Sequence, residues 1–176
     1  MNIKKTANLL INFTIRRLAE IFGIVVFVSG MLLFSALLTY SPEDPNFIFP
    51  ENSPIKNILG FQGSFISDLF FQSLGLISYL FSFTLIITGI NIIKVKEFFL
   101  IIENLFYTII YCIFGTLFLS YYYSDAFNLY INGNGGFVGS YLNNTFLNSL
   151  LLSNEIIFYY ALIFIIFSTF LVSINF

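Results

Sequence analysis

The chain has 176 residues, 58% of them hydrophobic and 9% charged, with a formal net charge of -2, whereas ordinary globular domains carry roughly 45–50% apolar and about 25% charged residues. A soluble chain of this length cannot hide so much Ile, Leu and Phe in one core, so hydrocarbon is the expected solvent. There is no histidine and a single cysteine, Cys112, which excludes an internal disulfide and any histidine-dependent mechanism and leaves a Cys/His metal site almost nothing to work with.

A membrane helix needs about twenty mainly apolar residues, and one charge at mid-bilayer costs about 2.5–3.5 kcal/mol. Four stretches reach that length without an ionisable side chain: 21–40, 69–93, 105–123 and 156–176. The expected fold is therefore all-α, with four transmembrane helices and both ends on the cytoplasmic side. In chain order, residues 1–20 form a basic cytoplasmic segment with Lys4, Lys5, Arg16 and Arg17. The first apolar run is longer than the 7–15 residues of a signal peptide core and no A-x-A-like site follows, so it reads as a retained span. The outer loop 41–68 carries Pro42, Pro45, Pro50 and Pro54, so its first half cannot be regular helix. Residues 94–104 form a tight inner loop with Lys94 and Lys96, and 124–155 a long outer loop rich in Asn and Gly. Within the latter, 139–152 reads as one short interfacial or re-entrant helix. Its polar face (Ser140, Asn144, Asn148) opposes Val138, Leu142 and Phe146, while Leu147 and Leu151 break the pattern.

Six of the seven positive residues fall in the segments assigned to the inside, and only Lys56 lies outside; this asymmetry sets the N-in/C-in orientation. Tyr40, Tyr121, Tyr122 and Tyr123 stand at span ends, where a ring with a polar tip suits the headgroup layer.

Helices in a bilayer associate through close backbone packing. At 100° per residue, Ser64, Ser67, Gly75, Ser78, Ser82 and Gly89 share one face of the second helix, and Ala19, Gly23 and Gly30 share a face of the first. These stripes serve packing within the chain or against another subunit.

Candidate chemistry is sparse. Asp68 reads as an interfacial acid near a helix start, with a functional intramembrane carboxylate as the sharper alternative. Glu20 and Glu103 are similar edge acids on the inner side, with Lys and Arg nearby. The absence of ionisable groups inside the spans argues against a coupled transporter; a channel lined by backbone and hydroxyl groups remains open. The cluster Gly133, Gly135, Gly136 and Gly139 is followed by no Gly-Lys-Ser/Thr, and Val138 stands where a dinucleotide fingerprint would need glycine. It suits a turn with positive φ before a short helix. Cys112 lies mid-span among apolar neighbours and is expected to be inert. No catalytic, cofactor or metal site is identified.

Two segments carry a resemblance. The first runs Tyr40-Ser41-Pro42-Glu43-Asp44-Pro45-Asn46-Phe47, continues with Asn57, Gly60, Gly63 and Asp68, and ends at Leu74-Gly75-Leu76-Ile77-Ser78-Tyr79. The second is Gly135-Gly136-Phe137-Val138-Gly139-Ser140-Tyr141-Leu142. In order and spacing they resemble the N-terminal four-span membrane domain of FtsK/SpoIIIE-type DNA translocases, with Phe47 where that family usually has Trp. The resemblance implies a non-enzymatic anchor and interaction domain in the bacterial inner membrane. It would tether a cytoplasmic hexameric ATPase motor at the division septum for chromosome segregation. The implied partners are membrane lipids, division-site membrane proteins and further copies of the chain in a hexamer. ATP, Mg and DNA contacts would belong to the motor, expected after Phe176. The rival reading is a small transporter or channel subunit, and a third, a membrane-embedded hydrolase, has no support among the residues.

Overall fold

The computed structural model describes residues 3–45, 54–124 and 132–175. Its elements are α1 (Ile3–Leu38), α2 (Gly60–Leu74), a 3-10 turn (Gly75–Ile77), α3 (Ser78–Val95), α4 (Leu100–Tyr122), α5 (Gly136–Asn143), α6 (Phe146–Ser153) and α7 (Glu155–Ser173), with no strand among the described residues. Four helical stretches are long and apolar enough to cross a membrane: Leu9–Leu38, Gly60–Val95, Leu100–Tyr122 and Glu155–Ser173.

The first helix begins at Ile3, so the basic segment is the first turns of α1, not a separate arm. No Pro interrupts residues 3–38, and Arg17 pairs with Glu20 one turn on at 2.6 Å, a spacing that supports helix. The stretch expected as one span over 69–93 is divided. The α2 helix ends at Gly75, whose φ of +59° leaves the helical region, and α3 restarts three residues later. With 18 residues, α3 is about 27 Å long, close to the roughly 30 Å of a hydrocarbon core. The expected single helix over 139–152 is two helices. Asn144 ends α5 and Thr145 caps α6, its hydroxyl accepting from Leu147 N–H. That break resets the helical phase. Leu151 is consequently buried with Leu117 and Leu162, and Leu147 packs against the same cluster, whereas one continuous helix left both out of register.

The most extensive helix pairing is α1 with α3. A Cβ on Gly23 would lie 2.8 Å from Ile93 Cγ1 and 3.0 Å from the Gly89 carbonyl, and one on Gly30 would lie 2.8 Å from Ile86 N. The α1 stripe therefore meets α3 inside this chain: Ala19, Gly23 and Gly30 of α1 are buried, as are Ser78, Ser82 and Gly89 of α3. The six-residue stripe expected on one helix is split at Gly75, which leaves Ser64 and Ser67 on α2. Ser78 donates to the Phe70 carbonyl at 2.9 Å and Ser82 to the Tyr79 carbonyl at 2.8 Å. The second half of the bundle is α4 against α7, with Ile77, Tyr111 and Cys112 buried between Phe170, Ile166 and Leu119.

The two bundle ends differ in chemistry. At one, Glu20 of α1 bridges Arg17 and Lys96, each at 2.6 Å. Asn175, just past α7, bonds Asn91 and Asn104 at the same end. The α1 and α7 termini thus share an end. The other end carries the loops and short helices.

Candidate functional site: the loop assembly

The end opposite the Glu20–Lys96 pair is built by polar side chains that tie loops to helix ends. Ser41–Asp44 forms a turn, Asp44 N–H donating to the Ser41 carbonyl at 3.1 Å, and Pro42 occupies the position where its fixed φ suits such a turn. This throws the Asp44 carboxylate inward, where it is 1% exposed. Oδ1 accepts from Lys56 N–H at 2.9 Å and Oδ2 from Asn57 N–H at 2.8 Å. Both oxygens are thus spent on backbone.

Asn57 continues the lock. Its Nδ2 donates to the Ala36 carbonyl at 2.8 Å, near the end of α1 where carbonyls lack intrahelical partners, and reaches Ser67 Oγ at 3.5 Å. Its Oδ1 accepts from Leu59 N–H at 3.1 Å, a local turn that asparagine favours. Gly60 follows at φ +66°, and Gly63 lies so close that a Cβ would collide with Asn57 Oδ1. Ser64 donates to the Pro45 carbonyl at 2.9 Å, pinning the buried Pro45 onto α2. Outside this lock, exposed Glu43 and Lys56 pair at 2.5 Å. The Lys56 hydrogen bond holds the Glu43 carboxyl below the usual carboxylate range, and the same bond raises the Lys56 ammonium above its ordinary value.

Asp68 is 8% exposed and accepts from the Tyr40 hydroxyl at 3.0 Å. The Tyr40 ring packs at a 60° tilt on Phe71, 4.9 Å between centroids, and Phe71 also meets Tyr79, which donates to the Leu37 carbonyl at 3.2 Å. Tyrosines from the α1 end and α3 thus serve Asp68 and an α1 carbonyl; the end of the loop expected over 41–68 is helix, and Asp68 stands buried well inside α2, not near a helix start as expected.

The third contact fills the break after α2. The Leu76 N–H donates to the Asn134 carbonyl at 3.0 Å, and a Cβ on Gly136 would stand 2.6 Å from Gly75 N. Asn132 donates to the Gln72 carbonyl at 3.2 Å and its Oε1 at 3.0 Å, and Ser140 donates to the Asn132 carbonyl at 3.0 Å. Gly133 takes positive φ before α5 and Gly136 at its first residue. Gly135 and Gly139, four residues apart, leave room for the Thr116 carbonyl of α4, which a Cβ on either would strike; this is small-residue helix packing.

The structure therefore brings Asp44, Asn57 and Gly63 into one contact, Tyr40 and Asp68 into a second, and Gly75, Gly136 and Asn134 into a third. Asn132, Asn134 and Gln72 escape the sequence reading, although an amide this close to a span must find a partner. Among the described residues no group of three or more His, Cys, Asp or Glu could hold a metal ion. Cys112 is buried. The arrangement positions backbone and makes a surface; it offers no activated nucleophile.

Comparison with known proteins agrees with this architecture. Residues 15–175 match the family described as the 4TM region of DNA translocase FtsK/SpoIIIE. Among curated proteins, the chain is similar to DNA translocase FtsK of Caulobacter vibrioides, at 36% identity over 69 residues, covering 39% of this chain and 8% of that protein. It is likewise similar to DNA translocase FtsK of Bradyrhizobium diazoefficiens, 34% identical over 74 residues (42% of this chain, 9% of that protein). The same holds for that of Rhizobium meliloti, 33% identical over 69 residues (39% and 8%). The aligned stretches therefore span less than a tenth of those relatives. No solved structure matches. The matched region is the membrane part of these translocases and not the motor, and the chain belongs to the family of FtsK/SpoIIIE four-transmembrane regions.

Proposed function

We propose that this domain is the multi-pass membrane anchor of a DNA-translocating motor, seated in the bacterial inner membrane at the division septum. The observation that carries this reading is the family match over residues 15–175, joined to a bundle whose α1 start and α7 end share one face. With Lys4, Lys5, Arg16, Arg17, Lys94 and Lys96 at that face, the positive-inside bias puts it in the cytoplasm, where a motor using ATP and Mg and a linker to it would lie. The loop assembly then faces outward and meets division-site membrane proteins, while copies of the chain gather as a hexamer around the motor.

Two measurements test this. The chain fused to a fluorescent protein should concentrate at midcell in dividing bacteria, and uniform envelope fluorescence would refute the septal role. With buried Cys112 left in place, Lys56→Cys should react with an impermeant maleimide in intact spheroplasts and Lys94→Cys only after lysis. The reverse pattern would invert the orientation.

A further inference from the structure

Between α3 and α4, near the basic end, Thr84, Thr88, Asn104 and Thr108 line a cavity of about 10 Å³ closed by Phe81, Leu85 and other apolar side chains. Asn104 is 1% exposed, and its Oδ1 has no hydrogen-bond partner. A buried polar atom left unmade costs about 1–3 kcal/mol.

The amide orientation is fixed by a relay. Ile174 offers a backbone carbonyl, which can only accept, so Asn91 must present Nδ2 to it (3.1 Å). The same Nδ2 meets Asn175 at 3.1 Å, so Asn175 must present Oδ1. That oxygen accepts from Asn104 at 3.0 Å, so Asn104 must present Nδ2, which also donates to Thr88 Oγ1 at 2.8 Å. Turning Asn104 over would set two carbonyl oxygens against each other. Its Oδ1 is therefore left over by necessity.

We infer that this cavity is a binding site for one water molecule, which donates to Asn104 Oδ1 and accepts the Thr88 hydroxyl proton. Thr88 Oγ1 already accepts from Asn104 and keeps that proton to give, and Thr108 spends its own on the Asn104 carbonyl at 2.7 Å. The volume is about the least a water needs, and two to four polar partners are usual. No carboxylate lines the cavity, so a cation would have no countercharge, and a neutral ligand is the one that fits. The water completes the clasp that joins the end of α7 to α3 and α4.

The test uses the full chain in lipid nanodiscs. In a structure that orders water, a density peak should stand within hydrogen-bond distance of Asn104 Oδ1 and Thr88 Oγ1. In water-edited solid-state NMR, magnetisation should reach the Asn104 side-chain amide from a slowly exchanging water, and Thr88→Val should abolish that transfer. Retained Gly23 and Gly89 resonances would show that the variant still folds. An empty cavity, transfer unchanged in Thr88→Val, or a sodium-dependent shift of the Asn104 amide would each overturn the assignment.

Discussion

Gly23 and Gly89 face each other across α1 and α3 so closely that each backbone occupies the space of the other's missing side chain: a Cβ on Gly23 meets the Gly89 carbonyl at 3.0 Å, and one on Gly89 meets the Gly23 carbonyl at 2.8 Å. In lipid this proximity supplies the dispersion contact that hydrophobic burial supplies in water.

Replacing Gly89 by Leu should therefore push the helices apart. Overpacking costs typically 1–3 kcal/mol where neighbours can yield; here the obstacle is the Phe27 and Gly23 backbone, so the upper part of that range is expected. Thermal unfolding in detergent would measure it, against Ile24→Leu on the exposed face as control. An unchanged midpoint in Gly89→Leu would show that the two helices do not pack this way.

A second expectation concerns Asp44. Its carboxylate holds Lys56 and Asn57 N–H groups 12 and 13 residues away, and hydrogen bonds to charged groups contribute about 1.5–3 kcal/mol each. Asp44→Ala should release the loop, seen as faster amide exchange at Lys56 and Asn57, with little change at Gly89. Exchange that stays slow in the variant would relocate the lock elsewhere.

The exposed pair beside it responds to pH. Glu43 is held below the usual carboxylate range by Lys56, so its contribution is present above the ordinary carboxyl value and is lost as pH falls through its lowered folded value. The raised Lys56 value has the opposite edge: its contribution is full below the ordinary ammonium value and fades as pH climbs through the raised one. Both groups are open to solvent, so salt should weaken the effect. In Lys56→Met the Glu43 carboxyl resonance should titrate at higher pH than in the native chain; coincident curves would show that the pair does not form in solution.

Much of this was legible in the sequence because the bilayer imposes a coarse rule. Charge is absent from 21–40, 105–123 and 156–176, and helices stand there, α1 running back to Ile3 and the other ends shifted by a few residues. Of the six-residue stripe expected on the second helix, Ser78, Ser82 and Gly89 do share a face of α3, since a 3.6-residue period says which side chains align, but Ser64 and Ser67 lie on α2, beyond the break at Gly75. The neighbour of that face was not readable: nothing in the spacing of Gly23 and Gly30 says whether they meet α3 or another subunit. The division of the second span was missed because hydropathy is blind to φ, and Gly75 continues the apolar run while ending the helix. The split of 139–152 hid for a related reason: Thr145 reads as another polar residue in a helix until its hydroxyl is seen capping α6. The asparagine relay of Asn91, Asn104 and Asn175 joins residues up to 84 apart in the chain, which no local pattern encodes.

The break at Gly75 gives the most demanding prediction. Gly75 takes φ +59° and would carry its Cβ into the Asn134 carbonyl, while Gly136 stands against Gly75 N from the other side. Gly75→Ala therefore meets two obstacles, a positive-φ backbone with ψ -141° that is essentially reserved for glycine and costs an L-residue roughly 1–3 kcal/mol, and the collision. Gly136→Ala meets the same collision from α5 and has its own positive φ. Either variant should free α5 from α2 and expose the Leu76 N–H, whose bond to Asn134 is the join. Once one variant has undocked α5, the second has less left to break. The double variant should then lose less stability than the two single losses added, with a coupling of about 0.5–3 kcal/mol for residues in direct contact. Unfolding midpoints of the four chains in one detergent give that number. Strict additivity would mean that Gly75 and Gly136 act through backbone strain alone and that α5 does not hold the break closed.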